Sequence, residues 1–151
     1  MDAAAADRVV VLGKHLCGFG TDLAIAFACA LAENGLTLSG AVFATCCFNK
    51  LHADDANQSF AAIFAQHYHL PASEEEVSRV ARGAGWRTTL DGSDRDATAG
   101  LEDALQAPRL AKLGQGLPAL RVAEVRYVDA RTSLQDRCLS RLDATDDGEC
   151  D

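Results

Sequence analysis

Several kinds of segment are absent from this 151-residue sequence, and each absence excludes a class of protein. No apolar run reaches the roughly 18 residues that a membrane-spanning helix needs. The N-terminus also lacks the basic stretch and apolar core of a secretory signal. No internal repeat or low-complexity linker divides the chain. The sequence therefore predicts a soluble intracellular protein, cytoplasmic or nuclear, with no membrane partner.

Basic residues are scarce. Lys and Arg total 14 against 22 Asp and Glu, which gives a net charge of -8. The isolated chain is therefore not expected to bind nucleic acid broadly, although a local basic patch or a separate binding module remains compatible with this charge. The segment Asp143–Asp151 contains five acids and no base, and we predict that it is an acidic, disordered tail.

Regular cysteine spacing is also absent. The six cysteines stand at positions 17, 29, 46, 47, 138 and 150, and two of them are adjacent, which favours reduced thiols over a disulfide framework. A zinc site built from Cys46, Cys47 and His52 is not expected, because adjacent cysteines lack the usual spacing of paired ligands. No metal-binding residue is predicted in this chain.

Two phosphate-binding motifs can be rejected. The pair Gly18 and Gly20 lacks the third glycine of a dinucleotide fingerprint, since Leu23 occupies that place. The dipeptide Gly13-Lys14 is not a P-loop, because Arg8 and His15 stand where glycine and Ser or Thr are required.

The most informative stretch of the sequence is Val9–Leu23. Its first residues, Val9–Leu12, are a short β-branched run that predicts a strand buried on both faces of a parallel sheet. The loop expected after this strand contains Lys14, His15 and Cys17. Because open α/β sheets bind ligands outside the carboxyl ends of their strands, this loop is a candidate site.

A helix is predicted over Thr21–Asn34, with Thr21 as its N-cap and Asp22 beside the positive end of the helix dipole. Its residues are apolar on nearly every face, so we expect protein to cover it on more than one side. Gly35 suits its C-terminal end. Residues 41–47 predict a second buried strand, which completes a right-handed strand–helix–strand unit.

The rest of the chain predicts further helices over residues 57–70, 73–82 and 101–113. Ser73 is the expected N-cap of the second, and Pro108 interrupts or restarts the third. The polar residues 89–99 predict a loop. The alternating pattern of residues 120–128 predicts a half-exposed strand. For residues 132–142 we favour a strand over a short helix, because it would complete an antiparallel hairpin at the sheet edge.

Several blocks of the sequence together resemble a known family. Lys14-His15-Leu16-Cys17-Gly18, Thr21-Asp22-Leu23 and the pair Cys46-Cys47 resemble the KHLCG-x-x-TDL and CCH blocks of the tRNA 2′-O-methyltransferases that modify the ribose at position 4 of the acceptor stem. Two weaker blocks are similar to later family segments, namely Arg82–Trp86 and Thr132–Asp136.

The resemblance implies an α/β fold, specifically the carboxyl half of a Rossmann-like S-adenosylmethionine-dependent methyltransferase domain. Residues 1–142 would form this partial domain, from strand four onward. The sequence departs from the family in three ways. Phe48 and Asn49 follow the cysteine pair in place of His, with His52 a few residues later. The glycine-rich cofactor loop with its acidic partner, and the zinc-finger region of full-length members, have no counterpart.

The resemblance also implies roles for individual residues. Lys14 and His15 become candidate catalytic residues, since a lysine can stabilise a developing alkoxide, or act as a base if burial lowers its pKa. Cofactor-binding or site-edge positions are Cys17, Gly18, Asp22, Cys46 and Cys47. The implied cofactor is S-adenosylmethionine, and the implied partner is tRNA.

Structural roles compete with these assignments. At these positions the structural role is favoured over the functional one: the three cysteines as small packing residues, Asp22 as a helix-start residue, and Trp86 as a core residue rather than a base-stacking one. Two other functions also stand open: a catalytically silent methyltransferase-like binding module, and an S-adenosylmethionine enzyme with another substrate. An interrupted sheet would expose an edge through which the chain associates, and the isolated chain is expected to be inactive.

Overall fold

The computed structural model describes residues 9–51, 60–86, 93–126 and 137–142. Within these ranges no helix is both long enough and apolar enough to cross a membrane. The elements, in chain order, are β1 (Val9–Cys17), α1 (Gly20–Glu33), β2 (Leu38–Cys46), a 3-10 helix (Phe48–Lys50), α2 (Phe60–Tyr68), α3 (Glu74–Gly85), α4 (Ser93–Gly116), β3 (Arg121–Arg126) and β4 (Arg137–Leu142). The predicted α/β class is confirmed. The predicted tail, Asp143–Asp151, lies outside the described residues.

The four described strands form one mixed sheet in the order β1-β2-β4-β3. β1 and β2 are parallel, whereas β4 runs antiparallel to both of its neighbours. The predicted antiparallel hairpin at the sheet edge is confirmed: β3 and β4 pair antiparallel at one edge of the described sheet, with β3 outermost. Strand β4 lies between β2 and β3. Its position agrees with burial, since Cys138, Leu139 and Ser140 are all buried, whereas Glu124 and Val125 of β3 are exposed.

Strand β1 departs from its prediction in two respects. It continues through the expected loop to Cys17, because a bulge between Lys14 and Leu16 lets pairing with β2 resume at Leu16. It is also buried on one face only. Val9 and Val11 pack on the core, while the opposite face exposes Val10 and leaves Leu12 75% exposed.

Helix α1 begins one residue earlier than expected. Phe19 is its N-cap, and the Thr21 hydroxyl instead donates a hydrogen bond to the Leu16 carbonyl at 2.7 Å, so the prediction of Thr21 as the cap is wrong. Gly35 does follow the helix, with a φ of 87° that glycine adopts without strain. Leu23 and Phe27 are exposed, so described residues do not cover α1 on the several sides that its composition predicted.

Helix α4 passes through Pro108 without interruption and begins at Ser93, within the stretch predicted as a loop. An internal proline costs a helix about 3 kcal/mol, because it removes a hydrogen bond and crowds the preceding turn. Packing offsets that cost. Leu113 lies in the core that α1 and α4 form against the sheet, and Leu105 lies in a second core with α2, α3 and the 3-10 helix. Both leucines and Pro108 are fully buried.

Helices α2 and α3 are confirmed, although their ends differ from the predicted ones: α2 ends at Tyr68 and α3 continues to Gly85, while residues 57–59 lie outside the described ranges. Ser73 caps α3 as expected: its hydroxyl accepts a hydrogen bond from the Glu76 amide at 3.2 Å, and the Glu76 carboxylate accepts one from the Ser73 amide at 2.8 Å. This is a reciprocal capping box. At the other end of α3, Trp86 is 60% exposed, so its assignment to the core is wrong.

We predict that Ser73→Ala lowers the free energy of unfolding by about 1 kcal/mol, because it leaves a helix-start amide without its acceptor. The measurement is urea unfolding at neutral pH. Ser78→Ala, the same change inside the same helix, is the matched control, and it should cost little because alanine favours helix interiors.

The capping box also makes a pH prediction. Hydrogen bonds from the Ser73 amide and hydroxyl hold the pKa of the Glu76 carboxyl below its ordinary value. The lowered pKa in the folded state contributes stability above the ordinary carboxyl pKa, and this contribution is lost as pH falls through the lowered value. The difference in the free energy of unfolding between Ser73→Ala and the parent should therefore become smaller in acid. An equal cost for both serine substitutions at neutral pH would contradict the assignment.

Candidate active site

Two parallel strands end side by side at the centre of the site. Cys17 of β1 pairs in register with Cys46 of β2, and their sulfur atoms are 3.2 Å apart. Cys47 follows directly, and its left-handed backbone, with a φ of 45°, interrupts the alternation of side chains along the strand. The Sγ atoms of Cys17, Cys46 and Cys47, called here the thiol cluster, all lie within 4.8 Å of one another.

Cys17 and Cys46 differ in how readily they ionise. Burial, reinforced by the neighbouring thiols, raises the pKa of Cys46 to about 12. The pKa of Cys17 is lowered, chiefly because it is hydrogen-bonded to Cys46, with smaller contributions from Cys47 and from the positive charge of Lys50. Cys17 is also partly exposed. Of these two thiols, Cys17 therefore ionises more readily, while Cys46 keeps its proton.

A glycine is required at the turn between β1 and α1. Gly18 is buried and has a φ of 57°, which disfavours any residue with a side chain. A Cβ atom there would also overlap the carbonyl group of Lys50. The turn after β1 and the 3-10 helix after β2 therefore lie in direct contact, which holds the two strand ends together.

A buried ion pair between Asp22 and Arg109 supports this turn. The Arg109 guanidinium of α4 donates from Nε and Nη2 to the two carboxylate oxygens of Asp22, at 3.2 and 2.7 Å, and Nη2 also donates to the Gly18 carbonyl at 2.9 Å. Both charged side chains are only 2% exposed. The guanidinium lies 5.1 Å from the ring centre of Phe60 and 5.9 Å from that of Phe48. Asp22 is thus in the first helical turn, as predicted, but its carboxylate is committed to Arg109.

Arg109 was not among the predicted residues, although the sequence contains a signal for it. Leu105, Arg109 and Leu113 are spaced by four residues, so they follow one face of α4. A charged residue at a position that a leucine would fill indicates a buried partner.

A second interaction that sequence reasoning missed lies behind β2. The Gln106 amide of α4 donates a hydrogen bond to the Thr45 hydroxyl at 2.6 Å, and Gln106 is fully buried. The Gln106 carbonyl oxygen has no partner among the described residues. This contact fixes β2 one residue before the thiol cluster.

The two predicted catalytic residues lie on β1, three and two residues before its end. Both Lys14 and His15 are exposed to solvent. Lys14 is in register with Ala44, and His15 occupies the bulge with a left-handed φ of 58°. The left-handed backbone region is energetically unfavourable for a residue that has a side chain, and residues held in it are frequent at functional sites. The structure thus places these residues on the strand that also supplies Cys17 to the thiol cluster.

The edge of the sheet does not by itself fit S-adenosylmethionine. A nucleotide cradle needs an open glycine-rich turn and a carboxylate free to bind the ribose. Here the Gly18 turn is filled by the Lys50 carbonyl, and Asp22 is occupied by Arg109. A separate groove of about 450 Å³ lies between α2 and α4, and its lining residues, which include His67 and Lys112, are not the predicted site residues.

The family model described as Methyltransferase TRM13 matches residues 1–117 of the chain. No curated protein and no solved structure matches the chain. The matched range includes the Lys14–Gly18 block, the Cys46-Cys47 pair and the Arg82–Trp86 block. The Thr132–Asp136 block lies beyond it and also outside the described residues.

We predict that Arg109→Met lowers the free energy of unfolding by about 3–5 kcal/mol, because it leaves the Asp22 carboxylate buried without a counter-charge. Urea unfolding followed by circular dichroism measures the loss. Arg79→Met, an arginine exposed on α3, is the matched control and should change stability by less than about 0.5 kcal/mol.

The double variant Asp22→Leu/Arg109→Met separates charge burial from packing. It should recover part of the loss, since neither charge then stays buried alone. If the double variant loses the sum of the two single losses, the two residues do not act as a pair.

Proposed function

The chain belongs to the TRM13 methyltransferase family, and from this premise we propose that it is the substrate-facing part of a tRNA ribose 2′-O-methyltransferase. The family implies a tRNA methyltransferase. The finer proposal is that the 2′-hydroxyl at position 4 of the acceptor stem is methylated. S-adenosylmethionine would supply the methyl group. The observation that carries this proposal is the exposed Lys14-His15 pair, held on a backbone bulge next to two converging strand ends.

Lys14 is proposed to stabilise the oxygen that attacks. Loss of the proton from a ribose hydroxyl leaves negative charge on that oxygen, and a nearby ammonium favours this charge. The alternative role, a base created by burial, needs a covering over the side chain, and Lys14 is exposed. His15 lies next to it, and a histidine is suited to accepting the proton.

The sheet supports a half-domain reading. In the Rossmann order 3-2-1-4-5-6, strand four lies between strands one and five. Strand β1 has β2 on one side and no described strand on the other. The outer face of β1 exposes Val10 and Leu12. Helix α1, which packs on the opposite, core-facing side of β1, exposes Leu23 and Phe27. We propose that β1 corresponds to strand four, and that a cofactor-binding half would pair with its free edge.

A catalytically silent binding module is the second candidate function. The filled Gly18 turn and the committed Asp22 carboxylate favour it, because they leave this edge without a nucleotide cradle. An assay of methyl transfer by the complete enzyme distinguishes the two candidate functions, because only the first predicts activity.

We predict that Lys14→Ala, introduced into the complete enzyme, lowers kcat for methyl transfer to tRNA by about 100-fold or more, because it removes a charge that acts on the developing alkoxide. His15→Ala should lower kcat by a similar factor if it accepts the proton. Transfer of labelled methyl groups to tRNA is the measurement, and Lys112→Ala on α4 is the matched lysine control. Parent-level rates in both Lys14→Ala and His15→Ala would remove the pair from the mechanism.

We predict that the 151-residue chain alone binds S-adenosylmethionine weakly or not at all, because its described sheet edge has no nucleotide cradle. Isothermal calorimetry with the purified chain tests this. Binding at micromolar affinity would show that the chain does not need a second half for its cofactor.

A further inference from the structure

The thiol cluster has no role in the proposed methyl transfer, yet it brings together three ligands of one chemical kind. Its sulfur atoms come from two strands, and the Cys17–Cys46 separation is 3.2 Å. Zinc binds thiolates at about 2.3 Å, so two thiolates on a tetrahedral zinc are about 3.8 Å apart. The Cys17 and Cys46 sulfur atoms would move apart by about 0.6 Å to reach this spacing, and the Cys47 sulfur lies within 4.8 Å of both.

The backbone already holds these ligands in place. Parallel pairing aligns Cys17 with Cys46, and the left-handed conformation of Cys47 places its sulfur on the same side as theirs. The Gly18 turn, packed on the Lys50 carbonyl, fixes the two strand ends. Little ordering is therefore needed on binding, which favours affinity.

The chemistry of the site selects a soft cation. Thiolates favour Zn²⁺ and Cu⁺ over Mg²⁺ and Ca²⁺. Three neighbouring thiols resist ionising together, and a bound cation removes that resistance because a coordinating thiol is deprotonated outright. Cys17 and Cys47 are partly exposed, so the ion can enter and a solvent molecule can take a fourth position.

We propose that Cys17, Cys46 and Cys47 form a three-thiolate zinc site that clamps the carboxyl ends of β1 and β2. The adjacent pair Cys46-Cys47 gave no such indication in the sequence, because the third ligand is 29 residues away from Cys46 and only the fold brings it close. The zinc site can be tested independently of the proposed methyl transfer, since the residues proposed to act on the ribose hydroxyl are Lys14 and His15.

The test is an anaerobic titration of the reduced full chain with Co²⁺, whose absorption reports thiolate ligation and tetrahedral geometry. We expect a sulfur-to-cobalt charge-transfer band that saturates at a single equivalent per chain and disappears when Zn²⁺ is added. Cys17→Ser and Cys47→Ser should each weaken Zn²⁺ binding by about 100-fold or more. Cys29→Ser, a buried cysteine of α1 outside the cluster, is the matched control and should bind like the parent.

Folding is checked separately by far-ultraviolet circular dichroism, and the two serine variants are made at Cys17 and Cys47 because both are partly exposed whereas Cys46 is buried. The proposal is overturned if the charge-transfer band is absent from the parent chain. It is also overturned if the band persists in both cluster variants, or if hydrogen peroxide joins Cys17 to Cys46 in a chain that binds no metal.

Discussion

The Asp22–Arg109 ion pair is the interaction on which the rest of the site depends. It joins α4 to the first turn of α1 and, through the Gly18 carbonyl, to the turn that follows β1. Two charges buried to this extent are costly to desolvate, and the pair is tolerated because the bidentate geometry satisfies both groups. The aromatic rings of Phe48 and Phe60 enclose the guanidinium and connect it to the second core. Along α4, Arg109 lies between Leu105 of the second core and Leu113 of the first.

The arrangement of the strand ends and of the thiol cluster depends on this ion pair. With the Gly18 turn fixed, the end of β1 lies against the 3-10 helix that follows β2, and the three thiols converge. Two residues with side chains, His15 and Cys47, adopt left-handed backbone at the same edge. Backbone of this kind persists where its surroundings enforce it, and here the surroundings are the sheet pairing and the packed turn. The strain is concentrated where the proposed chemistry takes place.

Part of the apolar surface of β1 and α1 is not covered by other described residues. Leu12, Leu23 and Phe27 are all exposed on β1 and the helix that packs on it, and β1 has a free edge among the described strands. Exposed apolar surface next to an unpaired strand favours association with another part of a protein. Both the free edge and the filled Gly18 turn are compatible with the proposal that a separate cofactor-binding half would pair with β1.

The sequence alone determined the local features of this protein. The strand that begins at Val9, the N-cap at Ser73 and the glycine after α1 each depend on neighbouring residues, and these features were confirmed, although the burial and the end of the strand were not. The KHLCG block indicated the methyltransferase family for the same reason, because it is contiguous. Tertiary structure decided what depends on distant residues. It continued β1 through its bulge, inserted β4 between β2 and β3, carried α4 through Pro108, and paired Arg109 with Asp22 across 87 positions of chain. Packing energies between remote segments outweighed local propensity at each of these places, and no window of sequence contains both partners.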